Sequence, residues 1–161
     1  MSITIGDRLP DGVFKVIGSD GPVEMKSAEI FDGKTVVLFG VPGAFTPTCH
    51  MNHLPGFVEH HDAFKAKGVD TIAVLSVNDM FVMDAWKKST GAGDKILFLA
   101  DGSANFVKAM GLELDASGFG MGIRSKRFAL LAKDGVVSVL NIEDAPGQAT
   151  VSGAAALLEA L

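Results

Sequence analysis

The chain has 161 residues, of which 48% are hydrophobic, so it is long enough and apolar enough to form one domain of ordinary size. Nineteen acidic and fourteen basic residues leave a formal net charge of −5. This balance argues against a protein that binds nucleic acid or an anionic membrane, since either would present a basic surface. The longest stretch without Asp, Glu, Lys or Arg, residues 35–58, is interrupted by prolines and glycines, so a membrane-spanning helix is not expected. The amino-terminal residues do not resemble a signal peptide, and we expect a cytoplasmic protein.

Cys49 is the only cysteine in the sequence. An intrachain disulfide is therefore impossible, which excludes a disulfide-stapled secreted domain. Because no second cysteine lies three residues away, the dithiol exchange of a Cys-x-x-Cys pair is also excluded within one chain. The sequence shows no internal repeat and no linker, so we expect residues 1–161 to form a single domain.

Apolar runs that are bounded by turn residues predict the strands of the fold. Strands are predicted over Val13–Ile17, Val23–Met25, Thr35–Val41, Thr71–Val77, Lys95–Leu99, Arg127–Ala132 and Val136–Leu140. The first two form an amino-terminal hairpin, and the last two flank Lys133-Asp134-Gly135, which is a strong hairpin signal. The strands Thr35–Val41 and Thr71–Val77 are almost continuously apolar, as central strands buried on both faces are. The glycine-rich segment 118–122 does not match a phosphate-binding pattern and is predicted as a connector.

Helical spacing of apolar residues predicts four helices between these strands. They run from Thr48 to about Lys67, from Met80 to about Lys88, from Ser103 to Met110 and from Gly153 to Ala160. In the first we expect a kink at Pro55 and an end at Gly68, and we expect Asp79, Ser103 and Ser152 to cap the others. Alternating strands and helices, followed by a hairpin and a closing helix, indicate an α/β fold with a mixed sheet.

Cys49 is predicted to lie in the first turn of the helix that follows the buried strand Thr35–Val41. Ligands and chemistry in α/β sheets gather beyond the carboxyl ends of the strands. Unpaired N–H groups and the positive end of the helix dipole favour the thiolate there, which is the nucleophilic form of cysteine. Position alone leaves open a small buried apolar cysteine, but the prolines that stiffen this loop, Pro42 and Pro47, favour a functional thiol.

The sequence around Cys49 resembles the active-site motif of the peroxiredoxins. The motif Pro42-x-x-x-Thr46-x-x-Cys49 lies within the string PGAFTPTC. Further strings that resemble the type II, or peroxiredoxin-5, subfamily are LPGF at 54–57, LSVND at 75–79, KRF at 126–128, Asp134-Gly135 and Leu140-Asn141. The resemblance covers nearly the whole chain. It implies a thioredoxin-like α/β fold, in which a mixed sheet is flanked by helices on both faces and extended by an amino-terminal hairpin.

The resemblance also implies a thiol-dependent peroxidase that reduces hydrogen peroxide and organic hydroperoxides. It makes Cys49 the nucleophile that attacks the peroxide and becomes a sulfenic acid. It implies that Thr46 hydrogen-bonds the peroxide and the sulfur, and that Pro42 shields the site from water. Arg127 would stabilise the thiolate and the developing charge, because a guanidinium stays protonated and offers several fixed donors. The neighbouring Arg124 lacks the KRF context that singles out Arg127.

The resemblance has further implications for the partners of the protein. Some related enzymes carry a resolving cysteine where this chain has Ala149–Ser152. Others carry an extra cysteine just before LSVND, where this chain has Ala73 and Val74. This implies a one-cysteine enzyme recycled by an external thiol, with glutathione as co-substrate and glutaredoxin as partner. It also implies a homodimer whose interface includes the Phe45 loop and the Met80–Phe81 turn. No metal, haem, flavin or selenium cofactor is expected.

The four histidines leave two other functions open, and a third alternative is not enzymatic. All of them follow Cys49 within twelve residues, and Cys49 and His53 are four apart, so the pair fits one helix face. Thiolate and imidazole are zinc ligands, although the spacing of a complete zinc site is missing. A Cys–His hydrolase in which His50 or His53 activates the thiol is the second alternative. The third is a thioredoxin-fold module that binds a partner or senses redox state, without turnover.

Overall fold

The strands of the computed structural model, which describes residues 2–161, form one seven-stranded mixed sheet and one two-stranded sheet. They are β1 (Val13–Gly18), β2 (Gly21–Lys26), β3 (Thr35–Val41), β4 (Thr71–Ser76), β5 (Leu97–Ala100), β6 (Glu113–Asp115), β7 (Ile123–Ser125), β8 (Phe128–Lys133) and β9 (Val136–Ile142). The large sheet has the order β2-β1-β5-β4-β3-β8-β9, and β6 pairs with β7 separately. The strands β3, β4 and β5 are parallel, and the remaining pairs are antiparallel. The predicted mixed sheet is confirmed.

Helices cover both faces of this sheet, as expected. They are α1 (Ser27–Phe31), α2 (Leu54–Glu59), α3 (His61–Ala66), α4 (Met80–Thr90), α5 (Asn105–Met110) and α6 (Ala154–Glu159). The apolar residues of α1 and α5 pack in the core on one face, and those of α2, α3, α4 and α6 pack in the core on the other. No helix within residues 2–161 is both long and apolar enough to cross a membrane.

The two cores meet at β3, which is buried on both faces. Because successive side chains of a strand point to opposite sides, Val36 and Leu38 join one core while Val37 and Phe39 join the other. Cys49 belongs to the second core, which it shares with the helices α2, α4 and α6. The active-site loop is therefore anchored at the carboxyl end of a fully buried strand.

Several local predictions are confirmed in detail. The carboxylate of Asp79 accepts a hydrogen bond from the N–H of Val82 and so caps the start of α4. The helix ends before Gly91, and Gly91 itself has the left-handed conformation. Asp134 and Gly135 both have positive φ, at 51° and 77°, as a tight hairpin turn requires. The amino-terminal hairpin joins the main sheet, because Lys15 of β1 pairs with Ala100 of β5.

The predicted serine caps are wrong. Helix α5 begins at Asn105, and the carboxylate of Asp101 accepts the N–H groups of Phe106 and Val107 in place of Ser103. Helix α6 begins at Ala154, and the hydroxyl of Ser152 donates to the carboxylate of Glu143 and not to the helix. An isolated serine is a weak signal because a tertiary carboxylate accepts stronger, charge-assisted hydrogen bonds.

The predicted helix from Thr48 to Lys67 is interrupted twice. Its start contains a wide π-helical turn at Cys49–His53, closed by a bond from Leu54 N–H to the carbonyl of Cys49. Pro55, which has no N–H, lies two residues after this turn, so the expected irregularity lies on its amino-terminal side. A second break at His60 separates α2 from α3 and was not predicted.

Short elements account for the other differences from the prediction. Helix α1 and the strands β6 and β7 were not predicted, and the glycine-rich segment 118–122 lies inside the loop that joins those strands. Strand β5 begins at Leu97, after a 3₁₀ turn over Gly93–Lys95. Elements of three to five residues show too little periodicity to be recognised from sequence.

Candidate active site at Cys49

Cys49 lies at the amino-terminal end of its helix, as predicted. The helical conformation begins at Pro47, a favoured residue for the first helical position because it has no N–H to satisfy. The first hydrogen bond of the helix runs from the His50 N–H to the carbonyl of Thr46, at 2.8 Å. The N–H groups of Thr48 and Cys49 therefore have no acceptor inside the helix. These donors and the helix dipole favour negative charge on the Cys49 sulfur.

Arg127 contacts the sulfur directly. Its Nη2 donates to Cys49 Sγ at 2.9 Å, and both residues are buried. Strand β8 brings the arginine there, because Phe128 pairs with Gly40 near the carboxyl end of β3. Within residues 2–161, no carboxylate lies within 4.0 Å of the Arg127 guanidinium. A buried cation is stabilised by a negative partner, and among the acceptors of this guanidinium only the Cys49 sulfur can become an anion.

His53 completes this buried cluster, one turn after Cys49 along the helix. Its Nε2 lies 2.8 Å from the carbonyl oxygen of Ser152, which only accepts, so Nε2 carries the proton. Its Nδ1 is then the acceptor for Arg127 Nη1, at 3.1 Å. Arg127 Nε donates to the carbonyl of Pro146 at 2.8 Å. The Cys49 sulfur, His53 Nδ1 and the Pro146 carbonyl thus each accept from a different nitrogen of Arg127, and together they fix the orientation of its guanidinium.

The loop between β3 and the helix holds the other two predicted site residues. Pro42 is buried directly after β3, and Thr46 is half-buried. The hydroxyl of Thr46 donates to the carbonyl of Gly43 at 2.6 Å, so its proton is engaged and its lone pairs face other donors. Phe45 adopts a positive φ of 65°, a strained conformation for an aromatic residue that is held in place by the surrounding loop. The structure thus places Pro42, Thr46 and Cys49 on one loop and helix start, with Arg127 against the sulfur.

The histidine alternatives do not match this geometry. Both nitrogens of His53 are engaged by Arg127 and Ser152, so neither activates the thiol as a base. His50 Nδ1 accepts the indole N–H of Trp86 at 3.0 Å. Within residues 2–161, no three His, Cys, Asp or Glu side chains are grouped so that they would hold a metal ion. The arrangement instead presents one buried sulfur beside one buried cation.

Comparison with known proteins gives the family. The Redoxin family model matches residues 4–158. Peroxiredoxin-2C of Oryza sativa is 52% identical over 99% of this chain and 98% of its own length. The structure of reduced Prx3 of Vibrio vulnificus in complex with H₂O₂ is similar with a TM-score of 0.93 and 51% identity, covering 98% of both chains. Peroxiredoxin 5 of Alvinella pompejana has a TM-score of 0.86 and 34% identity over 98% of this chain and 96% of its own.

The chain belongs to the peroxiredoxin family. As a peroxiredoxin it is a thiol peroxidase with the thioredoxin-like fold, which uses a peroxide substrate and a reductant. The redox-sensing module and the Cys–His hydrolase are not favoured. The buried cation beside Cys49 is the feature that suits this activity, since the peroxidase reaction starts from a thiolate.

The sequence did not predict that His53 and the segment after β9 would orient Arg127 in this peroxiredoxin site. The spacing of four between Cys49 and His53 was visible, but it indicated a metal ligand or a base. The backbone carbonyls of Pro146 and Ser152 carry no sequence signal, because every residue has a carbonyl. Only the fold brings these acceptors to Arg127 and His53.

We expect acid to destabilise the folded peroxiredoxin through His53. Burial and the positive charge of Arg127 lower the pKa of His53 from 6.5 to about 4. Between these pH values the unfolded chain binds a proton at His53 that the folded chain does not. The free energy of unfolding is therefore unaffected by titration of His53 above pH 6.5 and falls as the pH is lowered from 6.5 to 4. The difference corresponds to about 3 kcal/mol at pH 4.

Urea unfolding between pH 7.5 and 4 measures this effect of His53. The His53→Gln variant should show a shallower fall in unfolding free energy than the unmodified protein. His61→Gln is the control, because within residues 2–161 the side chain of His61 forms a hydrogen bond only with the exposed Asp62, so this variant should leave the slope as it was. Equal slopes in the His53→Gln variant and the unmodified protein would show that His53 is not held neutral by the fold.

Proposed function

We propose that this peroxiredoxin is a one-cysteine enzyme that reduces hydrogen peroxide and organic hydroperoxides and is recycled by glutathione with glutaredoxin. The observation that supports an external thiol is the sequence itself, in which Cys49 is the only cysteine. Whatever reduces the oxidised sulfur must then come from another molecule. Glutathione is the thiol that the subfamily resemblance implies for a chain without a resolving cysteine.

The peroxide half-reaction follows from the groups around the sulfur. The Cys49 thiolate attacks one peroxide oxygen, the O–O bond breaks, and the sulfur is oxidised to a sulfenic acid. The second oxygen leaves as hydroxide or alkoxide and is protonated to water or an alcohol. Arg127 stabilises the negative charge as it moves from sulfur to oxygen. Thr46, whose proton is engaged by Gly43, accepts a hydrogen bond from the O–H of the peroxide.

The reductive half-reaction uses two thiols in turn. Glutathione attacks the sulfenic acid, forming a mixed disulfide with Cys49 and releasing water. A second thiol, from glutaredoxin or glutathione, attacks this disulfide and returns the Cys49 thiolate. Because Cys49 has no exposed surface, a thiol as large as glutathione reaches it when the first turn of the helix opens. The lack of an N–H at Pro55 and the wide turn before it leave this end of the helix with fewer regular hydrogen bonds.

We further propose that the enzyme is a homodimer. Phe81, in the first turn of α4, is 65% exposed, and Phe45, on the loop after β3, is 47% exposed. The loop that carries Phe45 is bonded to the loop that precedes α4, because the Ala44 N–H donates to Asn78 Oδ1 at 3.0 Å. Exposed apolar side chains grouped near one edge are typical of a contact between subunits. The cytoplasmic location and the lack of a prosthetic cofactor stay predictions from the sequence.

Intact-mass spectrometry after oxidation tests the choice of reductant. With peroxide and glutathione we expect a glutathione adduct on Cys49 that glutaredoxin removes, and with peroxide alone we expect the gain of two and then three oxygens. Continuous peroxide consumption with glutathione and glutaredoxin should separate an enzyme from a sensor, which reacts once. Cys49→Ser is the matched control and should carry neither modification.

Two outcomes would contradict this scheme. Efficient recycling by thioredoxin alone would mean that the reductant is wrong. A covalent dimer as the main product on non-reducing gels would replace the external thiol by a second Cys49. We do not expect that dimer, because a disulfide requires Cα atoms within about 7 Å and Cys49 is enclosed in its own subunit.

A further inference from the structure

A segment without helix or strand, residues 143–153, wraps around the buried cluster and is called the strap here. It connects β9 to α6. Three groups of the site bond to its backbone carbonyls: Arg127 Nε to Pro146 and His53 Nε2 to Ser152, both at 2.8 Å, and Thr48 Oγ1 to Gly147 at 2.9 Å. The strap is therefore the surface against which Arg127 and His53 are oriented.

One carboxylate holds the two ends of the strap together. Glu143 is only 8% exposed, and its own N–H donates to the carbonyl of Arg127 at 2.9 Å. Its Oε2 accepts both the N–H and the hydroxyl of Ser152, at 2.7 and 2.6 Å, and its Oε1 accepts the hydroxyl of Thr150 at 3.1 Å. Glu143, the residue that follows β9, is thus bonded directly to Ser152, whose carbonyl orients His53.

The charge of Glu143 is matched to these donors. Burial opposes its ionisation, but the hydrogen bonds from Ser152 and Thr150 outweigh burial and lower the pKa of Glu143 below its usual value. The side chain is accordingly an acceptor for three donors at neutral pH. Hydrogen bonds to a carboxylate are stronger than those to a neutral acceptor, so an amide in its place holds the strap less firmly.

We propose that Glu143 is a positioning residue for the peroxidase reaction, which acts through Ser152 and His53 to hold the Arg127 guanidinium on the Cys49 sulfur. The chain of contacts runs from the carboxylate to Ser152, from the Ser152 carbonyl to His53 Nε2, and from His53 Nδ1 to Arg127 Nη1. When the strap loosens, His53 and the Pro146 carbonyl no longer fix Arg127. Peroxide attack then slows although every group that touches the sulfur is still present.

Single-turnover oxidation by hydrogen peroxide and a thiolate absorbance titration test this role. We expect Glu143→Gln to slow oxidation of Cys49 at pH 7 about tenfold and to move the titration midpoint to higher pH. Ser152→Ala removes one hydroxyl and keeps the carbonyl that bonds His53, so it should give a smaller change in the same direction. Asp144→Asn is the matched control, because it removes a negative charge from the exposed neighbour and should change neither measurement.

Three results would overturn the proposal. The first is a lower melting temperature of Glu143→Gln with an unchanged oxidation rate and titration, which would make Glu143 purely structural. The second is a titration midpoint that moves to lower pH, because loss of a nearby negative charge favours the thiolate when charge alone is acting. If Glu143→Gln does not fold, Ser152→Ala becomes the test variant. The third result is then a Ser152→Ala protein that is oxidised at the same rate as Asp144→Asn.

Discussion

We expect Cys49→Ser to abolish peroxidase turnover while the protein stays folded. A serine hydroxyl is not ionised at neutral pH and is not oxidised by peroxide, so both the attack and the sulfenic acid are lost. The substitution replaces sulfur by a smaller oxygen at a buried position, where it still accepts a hydrogen bond from Arg127. No other thiol in the chain substitutes for Cys49, because the sequence contains none.

Peroxide consumption and Trp86 fluorescence together measure this result. Trp86 is the only tryptophan in the sequence, which contains no tyrosine. The indole N–H of Trp86 donates to His50, the residue that follows Cys49, so Trp86 emission reports on this part of the fold. A Cys49→Ser protein with unchanged emission and no turnover fits a mechanism that depends on one thiolate. Turnover in a folded Cys49→Ser protein would reject this mechanism.

The second large effect is expected at Arg127. Arg127→Ala should slow peroxide attack about 100-fold or more, because it removes the donor that faces the sulfur and the charge that stabilises the leaving oxygen. The thiolate absorbance of Cys49 should also shift to higher pH, since the buried positive partner is gone. Arg127→Gln keeps hydrogen-bond donors without the charge and should lie between the unmodified protein and Arg127→Ala.

Arg124→Ala is the matched control for Arg127. Arg124 Nε donates to the carbonyl of Met121, and its Nη1 donates to the carbonyl of Val77, so this arginine braces two loops near the site. Its removal should leave the thiolate titration unchanged. Single-turnover oxidation with thermal unfolding of each variant distinguishes loss of catalysis from loss of fold. A normal rate in Arg127→Ala with a slow rate in Arg124→Ala would mean that the wrong arginine was assigned.

The features of this protein that depend on neighbouring residues in the chain could be predicted from its sequence. The central strands β3 and β4 are continuous apolar runs, and their burial on both faces follows from composition. Asp79 caps α4, and the Asp134-Gly135 turn closes a hairpin, because each needs only its neighbours in the chain. The position of Cys49 at a helix start beyond a strand is local in the same sense, and its residue motif was sufficient to predict the family.

The surroundings of the Cys49 sulfur, in contrast, depend on contacts between distant segments. Arg127 and Arg124 are three residues apart, yet the register of β8 against β3 directs Arg127 to Cys49. His53 meets Arg127 across 74 residues of sequence and the carbonyl of Ser152 across 99. These partners are backbone carbonyls and side chains from distant segments, which no local pattern connects. Buried polar groups must have hydrogen-bond partners, and the fold determines which groups are near enough to serve. The orientation of the Arg127 guanidinium therefore depends on the complete sheet and on the strap.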